Sequence, residues 1–220
     1  MTRAVVFDLD GTLIDSLPDM TVSANTLLAE HGLPPLDRSQ VAGFVGFGVR
    51  VFMNRLIAAT ALKASEYDTL LQRFMALYVQ ATDHTEVFPH VREALDALRD
   101  QGCVLGLCTN KPTAPMKAVL AALDLAEYFE VAVAGDTLSV PKPDPAPLKL
   151  AFEKLGATEA VYVGDSPVDA ETAQRARVPF LLFSEGIRTV SLDEIPHDKL
   201  FHDFRTLPES VNALFASYPH

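Results

Sequence analysis

The sequence predicts an α/β protein: a doubly wound, Rossmann-like parallel sheet forms the core, and an all-helical domain is inserted into it. Short apolar runs of strand-forming residues alternate with amphipathic helical segments along most of the chain, as in βαβ units. Residues 15–85 interrupt this alternation, because they contain helical segments and no strand-like run. We therefore expect an α/β core of residues 1–14 plus 86–220 and a helical domain of residues 15–85.

The inserted segment contains several residues that typically begin or end helices. Gly32 follows the first helical segment, as glycine often does at a helix C-terminus. Pro34 and Pro35 then break the chain, and Ser39 is placed to cap a short helix. The predicted helices cover 17–31, 40–44, 49–59 and a segment that opens at Ser65–Glu66 and runs through Tyr78.

The core elements are predicted from apolar runs and from the glycines that end the helices between them. Gly102 and Gly156 each close a helix just before the next apolar run. The predicted strands cover 4–7, 104–108, 130–134, 160–163 and 180–183, with Leu200–Phe201 as a further edge strand. The predicted helices begin at Pro89 with an apolar face over 91–98, and then cover 115–123, 148–155, 168–176 and 207–215.

Composition and charge argue against some classes of protein, among them nucleic-acid-binding, secreted and membrane-spanning proteins. The net charge of −11 over 220 residues argues against nucleic-acid binding, which needs clustered Lys and Arg. Cys103 and Cys108 are an odd number of positions apart, so they face opposite sides of a strand and fit free thiols of a reducing compartment. No signal-peptide pattern and no membrane span is found. We expect a soluble, cytoplasmic monomer or homodimer without nucleic-acid or membrane partners.

Two carboxylates stand at the end of the first predicted strand. Asp8 and Asp10 would point to the same side of an extended backbone, because side chains repeat every second residue. Such a pair indicates either a magnesium site or one acid that attacks while the other moves protons. A plain turn at Asp10–Gly11 is the alternative for this stretch alone.

Further polar residues follow other strands and are expected at the same rim. Asp165 follows the strand over 160–163, and Asp169 lies one helical turn later. Four crowded carboxylates would repel each other, so a divalent cation, with magnesium favoured by oxygen-only ligands, and Lys142 as an internal cation would stabilise them. Thr109 supplies a hydroxyl, and the backbone N–H groups around Asn110 can hold an anion. Taken alone, each of these features is also explained by a turn, a helix cap or a solvated surface lysine. Because all of them follow strands that end at one rim, we favour a functional site.

With these motifs the chain resembles the haloacid dehalogenase-like hydrolase superfamily over essentially its full length. The matching segments are Asp8–Leu13, Thr109–Asn110, Lys142–Pro143 and Gly164–Asp169. The helical insertion resembles the cap domain of that superfamily. Within it, Val45–Arg50, Thr109–Lys111 and Lys142–Pro145 look most like the phosphoglycolate phosphatase branch.

The resemblance implies a mechanism for a magnesium-dependent phosphatase. Asp8 would attack phosphorus and become an aspartyl phosphate, while Asp10 would protonate the leaving alcohol and later take a proton from water. Asp8, the Asp10 carbonyl and Asp165 would hold Mg²⁺. Thr109, the Asn110 amide and Lys142 would hold the phosphoryl group, and Asp169 would orient Lys142 or a metal-bound water. The expected substrate is a small organic phosphate monoester, 2-phosphoglycolate.

The cap is expected to select the substrate. Gly46 and Gly48 allow the backbone to approach the cleft closely, and Arg50 is a candidate partner for a substrate carboxylate. The alternative is that the glycines only shape a turn and that Arg50 faces outward. We also expect the cap to close over the cleft as one body, hinging near residues 13–17 and 83–88.

Other functions stay open at this stage. A β-phosphoglucomutase-type phosphosugar mutase shares the core and the cap, and inorganic pyrophosphate or a nucleotide monophosphate are other possible substrates. A receiver-like signalling module also places acids, a Thr and a Lys on a parallel rim, but it gives Asp10 and the insertion no role.

Overall fold

The computed structural model describes residues 1–217 and contains a six-stranded parallel sheet. Its strand order is β5-β4-β1-β6-β7-β8, and β2 and β3 form a separate antiparallel pair. The predicted core strands and the predicted edge strand are confirmed. The strands are β1 (Arg3–Phe7), β2 (Ile14–Asp15), β3 (Glu86–Val87), β4 (Val104–Cys108), β5 (Val131–Val133), β6 (Glu159–Gly164), β7 (Phe180–Phe183) and β8 (Lys199–Phe201).

Helices cover both faces of the sheet, so the doubly wound prediction is confirmed. α5, α6 and α9 pack on one face and α7 and α8 on the other. No helix within residues 1–217 is both long enough and apolar enough to cross a lipid bilayer. The helices are α1 (Leu17–Glu30), α2 (Arg38–Ala42), α3 (Val49–Ala59), α4 (Tyr67–Gln80), α5 (Val91–Asp100), α6 (Thr113–Ala122), α7 (Ala146–Lys154), α8 (Pro167–Ala176) and α9 (Leu207–Ser217).

β1 is central and contributes to both apolar layers. Val5 and Phe7 pack into the layer beneath α5, whereas Ala4 and Val6 pack into the layer beneath α7, and all four are 0% exposed. A strand covered on both faces needs apolar side chains at every position, which explains the uninterrupted run in the sequence. Cys108 and Cys103 likewise lie in opposite layers, as predicted.

The insertion is a bundle of α1–α4 with an apolar cluster of its own. Phe52 of α3 stacks on Phe74 of α4, with ring centroids 4.9 Å apart. Ile14 of β2 pairs with Val87 of β3, so the chain leaves and re-enters the core at adjacent positions. This strand pair was not predicted, because two-residue strands carry no periodic pattern.

Several helices begin one or two residues from the predicted position, and for two of them the structure shows the cause. α2 begins at Arg38 rather than Gln40, because Asp37 and not Ser39 is its N-cap. Asp37 Oδ1 accepts a hydrogen bond of 2.8 Å from Gln40 N, and Gln40 Oε1 accepts one of 3.0 Å from Asp37 N, which forms a capping box. α6 begins at Thr113, whose backbone N–H donates to Asp136 Oδ1 over 3.0 Å, rather than at Pro115.

Candidate active site

Polar residues at the ends of three neighbouring strands meet at one rim of the sheet. Asp8, Thr109 and Asp165 follow β1, β4 and β6, and each is buried. The Asp8 N–H donates to Val163 O over 2.9 Å, so the ladder between β1 and β6 continues into the site. Carboxylate oxygens of Asp8, Asp165 and Asp169 lie within 4.8 Å of one another. The structure thus brings together three of the four carboxylates that the sequence analysis expected to converge, and the fourth, Asp10, lines the same cavity as Asp8.

Lys142 enters this cluster from the loop before α7. Its Nζ lies 2.7 Å from Asp169 Oδ1 and 2.9 Å from Asp8 Oδ1, and it also donates to the Tyr162 hydroxyl over 2.8 Å. Burial alone would lower the pKa of Lys142, but Asp169 and Asp8 outweigh this effect and keep the pKa above its usual value. Lys142 is therefore a buried cation, as predicted, and Tyr162 is a partner that the sequence analysis did not identify.

Asp8 is the least satisfied group in the cluster. Although Lys142 is close to Asp8 Oδ1, no donor within residues 1–217 is aligned for a hydrogen bond with that oxygen. Burial raises the pKa of Asp8 to about 6; Lys142 opposes the rise and Asp169 adds to it. Asp169 behaves differently, because Lys142 outweighs its burial and holds its pKa below the usual value. Asp8 is thus a carboxylate that lacks a full set of partners, and Asp169 is fully engaged.

Asp165 is held from two sides by the chain. The Thr12 hydroxyl donates to Asp165 Oδ1 over 2.8 Å, and the Ile187 N–H donates to Oδ2 over 2.8 Å. A Cβ on Gly11 would lie 2.5 Å from Asp165 Oδ2, and Gly11 has a φ of +88°. Burial, with Asp169 and Asp8 nearby, raises the pKa of Asp165 well above its usual value. The glycine is required both for the turn and for the room that the carboxylate occupies.

Asp10 is bound through one of its two oxygens. Ser16 Oγ donates to Asp10 Oδ1 over 2.5 Å, and Lys111 Nζ donates to the same oxygen over 2.8 Å. Lys111 Nζ also donates to the hydroxyl of Tyr78, which belongs to α4 of the insertion. The sequence analysis missed Lys111, Ser16 and Tyr78 as site residues. The only signal was that Lys111 directly follows Thr109–Asn110 at the end of β4.

The insertion closes over this rim and contacts it through its glycine-rich turn. Asn110 Nδ2 donates to Gly46 O over 3.0 Å, and a Cβ on Gly48 would lie 3.4 Å from Asn110 O. Gly46 and Gly48 line an inner cavity of about 40 Å³ together with Asp8, Asp10 and Thr109. Both predicted glycines thus lie next to the candidate site.

Arg50 lies outside this inner cavity. It is exposed and lines a wider outer cavity of about 450 Å³, which it shares with Asn110, Pro112 and Asp136. The inner cavity, with its two aspartates, does not include Arg50. The structure therefore places this arginine at the approach to the site and not beside the reacting groups.

The cluster fits a divalent cation held by oxygen ligands. Three carboxylates, those of Asp8, Asp165 and Asp169, meet the ammonium group of Lys142 here, which leaves two negative charges when all are ionised. Asp10 and Lys111 form a separate ion pair beside the same cavity. Asp8 Oδ1 is buried and lacks an aligned donor, so it is free to act as a ligand. Burial without a counter-charge is costly for a carboxylate, and a cation would offset that cost. The residues of the site therefore match such an ion in both charge and donor type.

Comparison with known proteins assigns this chain to a family. A family model for haloacid dehalogenase-like hydrolases matches residues 5–183, which contain every residue of the site except Ile187. The chain belongs to the haloacid dehalogenase-like hydrolase family. The resemblance noted from the four motifs is therefore confirmed, and the protein is a hydrolase.

Relatives within this family carry a common description. A phosphoglycolate phosphatase of Cereibacter sphaeroides (strain ATCC 17029) is 42% identical over 215 residues, covering 96% of this chain and 99% of that protein. One of Rhodobacter capsulatus is 38% identical over 214 residues, covering 96% and 97%. The crystal structure of a predicted phosphoglycolate phosphatase from Haemophilus somnus 129PT superposes with a TM-score of 0.90 at 29% identity, covering 95% and 97%. This haloacid dehalogenase-like hydrolase is thus an enzyme of the phosphatase class.

Proposed function

We propose that the enzyme hydrolyses 2-phosphoglycolate in a magnesium-dependent reaction that passes through an aspartyl phosphate on Asp8. The observation that carries this proposal is the pairing of a buried, incompletely satisfied Asp8 with a second acid, Asp10, beside the same cavity. Relatives of nearly the same length are described as phosphoglycolate phosphatases, which supports the choice of substrate.

In the first step a carboxylate oxygen of Asp8 forms a bond to phosphorus, and the bond between phosphorus and the ester oxygen breaks. Asp10 gives its proton to that ester oxygen, so glycolate leaves as an alcohol. Because Ser16 and Lys111 both donate to Asp10 Oδ1, the proton of a protonated Asp10 belongs on Oδ2. The two donors therefore orient the acid.

In the second step water attacks the phosphorus of the aspartyl phosphate, and the bond between phosphorus and the Asp8 oxygen breaks. Asp10, now ionised, takes a proton from this water, which returns both carboxyl groups to their starting states. The inner cavity beside Asp8 and Asp10 has a volume of about 40 Å³, so it has room for few water molecules next to the intermediate.

The groups that hold the phosphoryl group lie after the C-terminal end of β4 and in the loop before α7. We assign this role to the Thr109 hydroxyl, the Asn110 N–H and Lys142. Asn110 fixes Lys142 in turn, because Lys142 N donates to Asn110 Oδ1 over 2.9 Å and Asn110 Nδ2 donates to Lys142 O over 3.0 Å. Asp169 positions Nζ of the same lysine.

Asp8, Asp165 and the carbonyl oxygen of Asp10 are the groups that we propose as Mg²⁺ ligands. When bound, the ion would offset the negative charge that gathers on the phosphoryl oxygens. Thr12 and Ile187 keep Asp165 facing Asp8 by occupying its two oxygens. We also propose a cytoplasmic location, which the two buried free cysteines support.

The test is phosphate release from 2-phosphoglycolate with excess Mg²⁺. Asp8→Asn removes the nucleophile with little change in shape, and we expect activity to fall by at least about 10³-fold, because the covalent path is lost. Asp193→Asn, at an exposed position, is the matched control and should retain wild-type activity. Full activity of Asp8→Asn would refute the mechanism. If the wild type hydrolyses another phosphate monoester but not 2-phosphoglycolate, and Asp8→Asn loses that activity, the substrate alone is refuted.

A further inference from the structure

The inner cavity contains a positive charge that the proposed mechanism uses only to orient Asp10. Lys111 is the only Lys or Arg among the described residues that line this cavity. Most of the lining contributed by the insertion is apolar and offers nothing that would bind a charged group. These apolar residues are Met20, Phe44, Val45, Val49, Phe52 and Phe74.

Lys111 is buried and stays charged. It is 5% exposed, and its partners at Nζ are Asp10 Oδ1 and the Tyr78 hydroxyl. Burial alone would lower its pKa, but Asp10 and Tyr78 outweigh this and raise the pKa above its usual value. An ammonium group has three N–H donors, so two acceptors leave one donor unused.

The unused donor of Lys111 needs an acceptor. A negatively charged group on the substrate, placed beside Lys111, would accept a charge-assisted hydrogen bond from it.

The position of Lys111 matches the length of a short substrate. In 2-phosphoglycolate a single methylene carbon separates the ester oxygen from the carboxylate. Asp10 protonates that ester oxygen, and Lys111 Nζ lies 2.8 Å from Asp10 Oδ1. A carboxylate one carbon beyond the ester oxygen therefore falls within reach of Lys111, whereas Arg50 lies in the outer cavity.

From these contacts we propose that Lys111 binds the carboxylate of the substrate and thereby selects a carboxylated phosphate ester over an uncharged one. The inference rests on the proposed function and names the residue responsible for its specificity. Because Asp10 belongs to the core and Tyr78 to the insertion, Lys111 is held from both sides of the cavity.

The experiment compares kcat/KM for 2-phosphoglycolate with kcat/KM for ethyl phosphate, which has a methyl group in place of the carboxylate. The ratio of the two values is the readout for Lys111→Met. A charged hydrogen-bond partner accounts for a preference of about 10- to 150-fold, and we expect the variant to lose a factor of this size. Lys111→Arg should retain part of the preference. Lys117→Met, on the exposed side of α6, should retain all of it.

Three outcomes would overturn the assignment. If Lys111→Met lowers kcat/KM equally for both esters, Lys111 only positions Asp10. If Arg50→Met and not Lys111→Met removes the preference, the carboxylate binds at the outer cavity. If the wild type shows no preference for 2-phosphoglycolate, the proposed function itself fails, which the wild-type ratio reveals before any variant is made.

A binding measurement covers the case in which Lys111→Met is too slow to assay. In an Asp8→Asn background neither ester is turned over, so the dissociation constants of both can be measured with Mg²⁺ by calorimetry. We expect Lys111→Met to reduce the preference for 2-phosphoglycolate in that background by a similar factor. An unchanged ratio of dissociation constants in a variant that unfolds at the wild-type temperature would refute the proposal.

Discussion

Asp19 and Thr85 join the two chain crossings between the core and the insertion: the Thr85 hydroxyl donates a hydrogen bond of 2.6 Å to Asp19 Oδ2. Asp19 lies in the first turn of α1, and Thr85 directly precedes β3. The same carboxylate accepts from His84 N over 3.0 Å. Both crossings lie near the expected hinge residues 13–17 and 83–88, and cap motion about them stays a prediction.

The first prediction concerns this junction. Asp19→Ala leaves the buried Thr85 hydroxyl and the His84 N–H without their acceptor, and an unsatisfied buried donor costs about 1–3 kcal/mol. We expect the free energy of unfolding, measured by urea denaturation, to fall by that amount. Asp83→Ala, one position before His84 and exposed, is the control and should stay near wild type. Equal stability of the two variants would contradict the role of Asp19.

The second prediction separates backbone strain from crowding at Asp165. Gly11 and Gly102 have φ values of +88° and +81°, but a Cβ on Gly11 would meet Asp165 whereas one on Gly102 would meet nothing within 4 Å. Both alanine variants should lose about 1–2 kcal/mol of stability from the left-handed backbone. Only Gly11→Ala should also lose about 10²-fold in kcat, since a shift of about 1 Å in a site residue has effects of this size.

Steady-state kinetics with saturating Mg²⁺, together with thermal unfolding, check this prediction. A comparable loss of kcat in Gly102→Ala would show that general destabilisation and not displacement of Asp165 is responsible.

The third prediction is a pH dependence of metal binding. The pKa of Asp8 is about 6 in the folded protein and 3.8 as its ordinary value. Between these values the folded protein holds a proton that the unfolded chain has lost, so the contribution of Asp8 to the free energy of unfolding falls as pH rises. A divalent cation favours the ionised form. The increase in melting temperature caused by Mg²⁺ should therefore be larger above pH 6 than below it.

Calorimetric or fluorescence melting with and without Mg²⁺, at pH values on either side of 6, measures this effect. Asp8→Asn has no proton to release at this position, so its Mg²⁺-induced shift should be smaller and less dependent on pH. A wild-type shift that does not change with pH would argue against Asp8 as a ligand.

The fourth prediction concerns the apolar cluster of the insertion. Phe52 is 1% exposed and stacks on Phe74, so Phe52→Ala should cost about 3–5 kcal/mol of stability. Phe47 is 40% exposed and its ring contacts the guanidinium of Arg55, so Phe47→Ala should cost at most about 1 kcal/mol. Urea denaturation of the two variants tests the difference. Similar costs would mean that Phe52 is not a core residue of the bundle.

The sheet could be predicted from the sequence because its signals are local. β1 must be apolar at each of Ala4–Phe7, since it is covered on both faces, and the polar residue that follows marks the rim. The same reasoning placed Asp165 after β6 and Thr109 after β4. β2, β3 and the cap of α2 were missed or misplaced, because two residues show no period and two neighbouring polar residues compete for one N-cap.

The partners of the site could not be predicted, because they depend on contacts between distant positions. Lys111 and Asp10 are 101 positions apart, and Thr12 and Asp165 are 153 apart. A hydroxyl or a lysine beside a strand end looks the same in sequence whether it faces solvent or a carboxylate. Arg50 shows the reverse error. Its charge and its place after the glycine-rich turn suggested a role in the site, but it lines the outer cavity and not the inner one.

The pairing of Ile14 with Val87 brings the two ends of the insertion next to each other. A short turn would span this gap, and β1 would still reach α5 and β4 without any change in strand order. We therefore expect the core to tolerate exchange of the helical bundle. Under the proposed mechanism, such an exchange would change which esters the enzyme admits and leave the phosphoryl chemistry in the sheet.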